Sequence, residues 1–466
     1  MVLRDMSESV ESSLDPPKRT CLPSLAPLDH PEDDRAAFSY DAFEPFPGKD
    51  GHFYEPIGEG SPWGRRRRSA GPVARWGGEG RDAMSASTGL RMGIVGTGYW
   101  GSKHVRTMSS IAEVDQVAVI DPREDRTASL KRTYPALRTF RSLADALESL
   151  DAVVIATPPS THATLAMAAI RAGKHVMVEK PLATSVLDAT AMVLAAARRE
   201  VRLMVGHTFE YHAAVWALRD IVTRGDFGDV YPLESARLNM GLYQHDANVV
   251  WDLAPHDISI LNYVVSSTPS MVECWGSRHA HPRLEDNAHL RLTYDVPRVE
   301  ANVHVSWLHP NKTRRVTVVG SDRMVVFDDL STEERIRVHD KSVRQLDQLS
   351  EDLSQPPMSY RYGDVVAPYV AVNEPLTVED QHFVDCVISG QRPTTDGENG
   401  LAVVEVLEAA AVSLRERRPV AIDEVRLLEP VVSPAGARLG VPGAPPADNA
   451  SIAFVPDQRA TPQEVA

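Results

Sequence analysis

Cysteine is scarce in this chain: Cys21, Cys274 and Cys386 are the only three in 466 residues, far apart and odd in number. They build neither a disulfide framework nor a metal-binding spacing, so a reducing, cytoplasmic setting is expected. Positive charge is also in deficit, with 49 Lys and Arg against 64 Asp and Glu and a net charge of -15. A surface that tracks nucleic-acid phosphates or anionic lipid needs a basic excess, so neither nucleic acid nor membrane is expected as a partner. No run reaches the roughly 18 apolar residues of a membrane helix, and no internal repeat is visible. The composition that is there, 43% apolar and 24% charged, is ordinary for a globular protein long enough for two or three domains.

Residues 1–88 show no sustained period of 2 or 3.6 and are rich in Pro, Gly, Ser and scattered charge. Such a stretch buries too little apolar surface to offset its ordering entropy, and it reads as a disordered extension. Arg65 to Arg68 stand alone, with no apolar segment after them of the kind a secretory or twin-arginine signal needs. Met84, just before the first strand, or Met92 is an alternative start. Residues 428–466, rich in Pro, Ala and Gly, read as a disordered tail.

Within 89–208, strands and helices alternate over short connections, which predicts a doubly wound parallel sheet. The strands are expected near Arg91 to Val95, Gln116 to Ile120, Leu137 to Phe140, Ala152 to Ala156, His175 to Val178 and Arg202 to Val205. The first runs into a glycine-spaced turn, GTGYWG. There Gly96 permits a tight turn, Gly98 lets a pyrophosphate approach bare backbone N–H groups, and Gly101 lets the next helix pack on its strand. Asp121 closes the second strand 20 residues beyond Gly101, where a carboxylate accepts hydrogen bonds from an adenosine ribose. It would favour NAD over NADP by repelling a 2′-phosphate, although Arg123 points weakly the other way.

Residues 209–427 read differently: a helix from Ala213 to Arg224, then β-rich runs that alternate apolar with polar residues. They lie near Val230 to Leu238, Ser270 to Arg278, Ala288 to Tyr294, Ala301 to Trp307, Arg314 to Val319 and Met324 to Asp328. Such runs suit an antiparallel sheet with one face covered and the other free for a partner. Helices at Val378 to Ile388 and Glu398 to Arg415 follow.

Three further motifs bear chemistry. Thr157, Pro158 and Pro159 end the fourth strand and should line the ligand crevice at the carboxyl edge of the sheet; the plainer reading is a proline-stiffened turn with Ser160 or Thr161 as N-cap. Lys180 ends the fifth, either as a solvated cap or as a desolvated donor to a substrate hydroxyl. Asp252 and His256, four residues apart, share a helix face where the carboxylate could orient the imidazole, or form an ordinary surface pair. No third ligand accompanies them, so no metal is expected.

GTGYWG, ATPPSTH, EKP and D-x-x-x-H, in this order and at these separations, resemble the glucose-fructose oxidoreductase, inositol dehydrogenase and rhizopine-catabolism (Gfo/Idh/MocA) family over about Arg91 to Asp423. The resemblance implies an N-terminal Rossmann domain and a C-terminal α/β domain whose large, mostly antiparallel open sheet mediates homodimers or homotetramers. It implies bound NAD, with NADP the lesser alternative, and Lys180, Asp252 and His256 as catalytic residues. It also sets Tyr99 and Trp100 of GTGYWG, with Pro158, His162 and Glu179, around the cofactor, and allows a cis Lys180 to Pro181 bond. GHTFEYHAAV, SWLHPNKTRRVTVVG and EPLTVEDQHFVDCVISGQRP look most like the nucleotide-sugar 3-dehydrogenase branch. The implied substrate is a nucleotide-linked hexose oxidised at C3, with a free-sugar or inositol dehydrogenase and a glycosidase working by transient 3-oxidation as alternatives; a non-catalytic dinucleotide sensor would not need the three catalytic residues. Arg237 as a diphosphate fork, and Asn239, Tyr243 and Gln244 as partners for sugar hydroxyls, are the substrate candidates, the plainer reading of the first two being solvent-facing strand residues.

Overall fold

A computed structural model of the chain describes residues 89–244, 247–345, 358–371 and 373–427; the expected N-terminal extension, the alternative start at Met84 and the tail from 428 lie outside them. The first part runs β1 (Leu90–Val95), α1 (Tyr99–Met108), β2 (Val114–Ile120), α2 (Glu124–Thr133), β3 (Arg138–Phe140), α3 (Leu143–Ala146), β4 (Ala152–Ile155), α4 (His162–Arg171), β5 (His175–Glu179), α5 (Val186–Arg199) and β6 (Leu203–Gly206). Its strands form a six-stranded sheet, all neighbours parallel, in the order β3-β2-β1-β4-β5-β6. Strands covered by helices on both faces must be apolar throughout, as the fully buried AVVI of β4 is. The winding direction reverses between β1 and β4, and the crevice at such a reversal is where ligands bind in open α/β sheets.

The second part runs α6 (Ala213–Thr223), β7 (Val230–Met240), α7 (Val249–Val265), β8 (Met271–Ser277), β9 (Asn287–Tyr294), β10 (Val299–Ser306), β11 (Leu308–Gly320), β12 (Met324–Asp328), β13 (Ile336–Gln345), β14 (Met358–Val366), α8 (Pro375–Ser389), α9 (Gly397–Glu416), β15 (Val420–Ala421) and α10 (Ile422–Arg426). Among the described residues its sheet has nine strands in the order β14-β13-β12-β11-β7-β10-β9-β8-β15. Every pairing is antiparallel except β7 with β10. The alternating residues of β9 and β10 turn one face to α7, and α9 continues that layer over β8; Ile258, Leu261, Val264, Val403 and Leu407 are buried in the core between them.

β13 and β14 are not expected from the sequence. IRVHDKSVRQ and the wholly exposed MSYRYGDVV carry charges and little alternation; β14 is the edge strand, and β13 lies between it and β12. β11 starts six residues before the expected Arg314, because its register shifts between Leu308 and Thr313, around Pro310, which cannot donate to a ladder. α8 turns back onto the first part, where Phe383 and Val384 pack with Met92, Ile94 and Met108. That return brings the far end of the chain behind the glycine turn.

Candidate functional site

The glycine turn has the geometry of a phosphate cradle. Gly96 has φ +88, and a Cβ there would lie 2.7 Å from the Ala156 carbonyl oxygen; one on Gly101 would lie 1.9 Å from the Gly96 carbonyl oxygen. A Cβ on Gly98 would meet nothing within 4 Å, so the backbone at the N-terminus of α1 faces open space. No side chain caps that helix. Open, uncapped N–H groups at the positive end of a helix dipole suit a dinucleotide pyrophosphate. Asp121 closes the turn from β2: its carboxylate accepts from Thr97 N–H at 2.9 Å, Thr97 Oγ1 at 2.7 Å and Arg123 N–H at 2.9 Å. Burial alone would raise its pKa, but these bonds hold it below the usual aspartate value. Tyr99 and Trp100 flank the opening, and Lys103 Nζ bonds the Tyr99 hydroxyl at 2.9 Å.

Lys180 reaches from the end of β5, before a cis bond to Pro181, toward the first turn of α7. Its Nζ donates to the Asp252 carbonyl oxygen at 2.8 Å and lies 3.9 Å from Asp252 Oδ1. Burial lowers its pKa below the usual 10.5, although Asp252 and Glu179 pull the other way. Asn248 caps α7 by accepting from Trp251 N–H, and Pro255, inside the helix, has no N–H for the Trp251 carbonyl.

Asp252 does not orient His256 as the i, i+4 spacing led us to expect. Its Oδ2 accepts from Trp307 Nε1 at 3.0 Å and its Oδ1 faces Lys180. His256 is instead held by an edge contact with Phe209, ring centroids 5.1 Å apart, and its Nδ1 is buried without a hydrogen-bond partner. Burial, with Lys180, Arg237 and His207 nearby, pushes its pKa well below 6.5, so the imidazole is neutral. A neutral, unpartnered imidazole beside an ammonium can take a proton from a hydroxyl whose oxygen the ammonium holds. His207 lies fully buried at the end of β6 with neither ring nitrogen bonded, and burial pushes its pKa down to about 4.

Two residues expected around the cofactor turn out to brace the loops. Glu179 Oε1 pairs with His104 Nε2 at 3.0 Å and its Oε2 accepts from Lys180 N–H at 3.2 Å. His104 Nδ1 in turn meets Asp380 Oδ1 at 2.8 Å, and Thr107 Oγ1 donates to Asp380 Oδ2. Desolvation opposes charge on His104, but the Asp380 and Glu179 carboxylates outweigh it and raise its pKa well above 6.5. His162, also buried, sits between two carbonyl oxygens, its Nε2 2.8 Å from that of Thr157 and its Nδ1 2.9 Å from that of Pro181; burial lowers its pKa, and the neutral ring donates to one of them, bringing the β4 and β5 loops together. Pro158 precedes a short 3-10 turn, as the plainer reading of that loop expects, but Thr161, at the N-cap position of α4, makes no side-chain capping bond: its hydroxyl bonds that of Thr157 at 2.7 Å and donates to the Pro158 carbonyl oxygen at 2.8 Å.

A cleft of about 490 Å³ opens in front of Lys180 and His256, and Tyr99, Trp100, Asn239 and Gln244 line it. Asn239 Oδ1 is buried there without a partner. Arg237 is neither a free fork nor a solvent-facing strand residue. It is buried, its Nε donates to Asp257 Oδ2 at 2.7 Å, and its guanidinium lies 4.6 Å from the Phe209 ring centroid. It thus pins α7 to β7 and backs the ring that holds His256. Tyr243 packs on Trp307 and gives its hydroxyl to Asp286 Oδ2 at 3.2 Å. Sequence reasoning missed His104, Asp380 and Trp307, which lie far along the chain from the residues they hold. It also missed Arg314 and Arg335 of the cleft wall; the basic KTRR run carried a signal for Arg314 alone.

Residues 90–207 match the family model described as "Oxidoreductase family, NAD-binding Rossmann fold", and residues 215–326 match the GFO/IDH/MocA C-terminal domain. The chain belongs to the Gfo/Idh/MocA oxidoreductase family. It is an NAD-dependent dehydrogenase acting on CH–OH groups of sugars or polyols, and the open turn at Gly98 fits that cofactor. UDP-N-acetylglucosamine 3-dehydrogenase of Acidithiobacillus ferrooxidans is 29% identical, over 52% of this chain and 75% of that protein. Myo-inositol 2-dehydrogenase of Thermotoga maritima is 24% identical, over 72% and 99%. Among solved structures, the WlbA dehydrogenase of Bordetella pertussis in complex with NADH and UDP-GlcNAcA has a TM-score of 0.59 at 22% identity, covering 72% of this chain and 98% of that one. Likeness at that identity concerns the fold alone. No helix among the described residues is long and apolar enough to cross a membrane.

Proposed function

We propose that this dehydrogenase oxidises the C3 hydroxyl of a nucleotide-linked hexose. The observation that carries the chemistry is the pairing of Lys180 with a neutral, unpartnered His256 at one end of the cleft. His256 accepts the hydroxyl proton while Lys180 hydrogen-bonds the same oxygen and stabilises the charge that develops on it. Asp252 acts through Lys180: its carbonyl and carboxylate aim the ammonium into the cleft. Asn239 Oδ1 offers an acceptor to a neighbouring sugar hydroxyl. NAD held at the glycine turn supplies the hydride acceptor, and Asp121 sets a preference for it over NADP. The nucleotide-linked substrate draws support from the UDP-N-acetylglucosamine 3-dehydrogenase relative. Assembly into homodimers or homotetramers fits the uncovered sheet face, where Trp275, 51% exposed, stacks on His289.

Inositol oxidation is the second reading, favoured because the myo-inositol 2-dehydrogenase matches over 99% of its length. A panel of UDP-linked and other nucleotide-linked sugars, the matching free sugars and myo-inositol, followed by absorbance of the reduced nicotinamide, separates the two. Higher kcat/KM for a nucleotide-linked sugar than for its free form is expected. Equal or better turnover of the free sugar or of myo-inositol overturns the proposal.

A further inference from the structure

We propose that Trp307 is a positioning residue that assigns the Asp252 carboxylate to Lys180 and withholds it from His256. The proposal rests on the reading of Lys180 as the hydrogen-bond donor and His256 as the base. Asp252 and His256 lie four residues apart on α7, a spacing at which a carboxylate and an imidazole share a helix face. Asp252 is instead drawn aside: its Oδ2 accepts from Trp307 Nε1 at 3.0 Å, and its Oδ1 faces Lys180 Nζ at 3.9 Å. Both oxygens are thus taken up by residues outside α7. An indole N–H only donates, and a buried one needs an acceptor, so the bond runs from the tryptophan to the carboxylate.

The indole is held in place without Asp252. Trp307 joins β10 to β11 and is 1% exposed. Its backbone N–H donates to the Asp286 carbonyl oxygen at 2.9 Å, and its own carbonyl accepts from Gly241 N–H at 2.9 Å. Tyr243 packs on the ring, centroids 5.0 Å apart, while its hydroxyl donates to Asp286 Oδ2 at 3.2 Å. Asp286 is fully buried and also accepts from the N–H groups of His279 and Ala280. At Gly241 a Cβ would lie 2.5 Å from Trp307 Cδ1, so the missing side chain makes room for the ring. This frame fixes the indole, and the Asp252 side chain, 23% exposed, is the partner able to turn. The consequence is electrostatic. Burial lowers the His256 pKa most, and Lys180 at the end of β5, Arg237 on β7, His207 at the end of β6 and Arg314 on β11 push the same way. Asp257, next in the helix after His256, is taken by Arg237. A carboxylate turned to the imidazole would oppose these charges and favour imidazolium, which takes no proton from a hydroxyl. The same turn would deprive Lys180 of a negative charge that opposes its desolvation. One bond from Trp307 thus keeps the base neutral and the donor charged.

Histidine C2–H exchange, read by mass spectrometry on the full-length, NAD-saturated enzyme over a range of pH, measures the protonation of His256 without any substrate. Trp307→Phe keeps a packed ring and removes the donor, whereas Gly241→Ala keeps the donor and displaces it. Both are expected to raise the His256 midpoint by about 1 pH unit or more. Asp252→Asn added to Trp307→Phe should cancel the rise, since an amide has no charge to lend. On a substrate that the panel above identifies, the acid limb of kcat should rise by the same interval. Melting temperature shows whether each variant is folded. Asp252→Asn alone leaves Trp307 intact and decides the matter if the other variants unfold: its His256 midpoint should stay within about half a pH unit of wild type, because the carboxylate is already turned away. The role of Trp307 is overturned by a midpoint unmoved in Trp307→Phe and Gly241→Ala, by a rise that persists in the double variant, or by a fall of about 1 pH unit or more in Asp252→Asn. Full kcat in His256→Ala overturns instead the reading of the base, and the midpoints then judge Trp307 by themselves.

Discussion

Lys180 separates two polar environments that differ in whether their atoms are satisfied. Behind it, Glu179, His104, Asp380 and Thr107 form a continuous buried chain in which each ionised oxygen and nitrogen has a partner. In front of it, His256 Nδ1 and Asn239 Oδ1, on two cleft-lining residues, are buried with none; the other buried orphans include both nitrogens of His207, which does not line the cleft, and Glu379 Oε1, close to Glu179 and Asp380. Natural interiors satisfy the great majority of such groups, because each orphan costs about 1–3 kcal/mol. Satisfied charge behind the lysine fixes the loops, whereas unsatisfied polarity in front of it is stability forgone where a ligand supplies the partners. The two sets should respond to substitution in opposite ways.

The largest effect is expected at the boundary itself. Lys180→Ala should lower kcat by roughly 10³-fold, the loss typical of a donor to a developing oxyanion, while NAD affinity stays near wild type. His256→Ala should cost about 10²- to 10⁴-fold and remove the acid limb of the pH–rate profile. In wild type that limb should lie below the ordinary histidine range, because burial keeps His256 neutral, and the alkaline limb should fall below 10.5 as Lys180 loses its proton. Loss of NAD binding in Lys180→Ala, measured by fluorescence titration, would move the lysine to the structural side.

How much of this could be read in the chain depended on distance along it. The parallel sheet was legible because its strands are apolar runs between glycine and proline signals, and the turn at Gly96 to Gly101 was legible because only glycine fits there. Lys180 and His256 stood out by type and position. Their supports did not: Asp380 lies 276 residues from His104, and Trp307 lies 55 from Asp252. An i, i+4 rule describes neighbours on an isolated helix, and here Trp307 and Lys180, from other elements, took the carboxylate first. Arg237 misled for the same reason, since Asp257, its partner, follows His256 in a motif read for its other members. β14 was missed because an edge strand carries the composition of a loop.

The satisfied set predicts a loss of stability before any loss of chemistry. His104→Ala leaves Glu179 and Asp380 as buried carboxylates without their shared cation, and such a change costs about 3–5 kcal/mol. Denaturant unfolding should show it, with Asp380→Asn costing less because Glu179 keeps its partner. The pH dependence has a definite sign. The His104 pKa is raised on folding, so its contribution is full below about 6.5 and lost as pH rises through the folded value. Burial alone would raise the Glu179 pKa, but the His104 bond holds it down, so its contribution is full above about 4.5 and lost as pH falls through the folded value. Stability should therefore be greatest between these limits. A His104→Ala variant as stable as wild type at pH 6 would mean that the chain of partners does not hold the fold.

Asp121 gives the smallest effect and the sharpest comparison, because it belongs to both sets. Three donors from its own chain already satisfy it, which makes it resemble Glu179, yet it stands where a ribose would meet the end of β2. A carboxylate has about four acceptor sites, so three internal bonds leave room for a ribose hydroxyl. We expect Asp121→Ser to weaken NAD about tenfold, or about 1.4 kcal/mol, and to strengthen NADP, because the substitution removes both an acceptor for the 2′-hydroxyl and a repulsion toward a 2′-phosphate. If Asp121 served only to close the glycine turn, the two dinucleotides would weaken together, since both share the pyrophosphate that the turn holds. Titration of each with the purified variant distinguishes these outcomes: a changed ratio places Asp121 with the ligand, and a common loss places it with the scaffold.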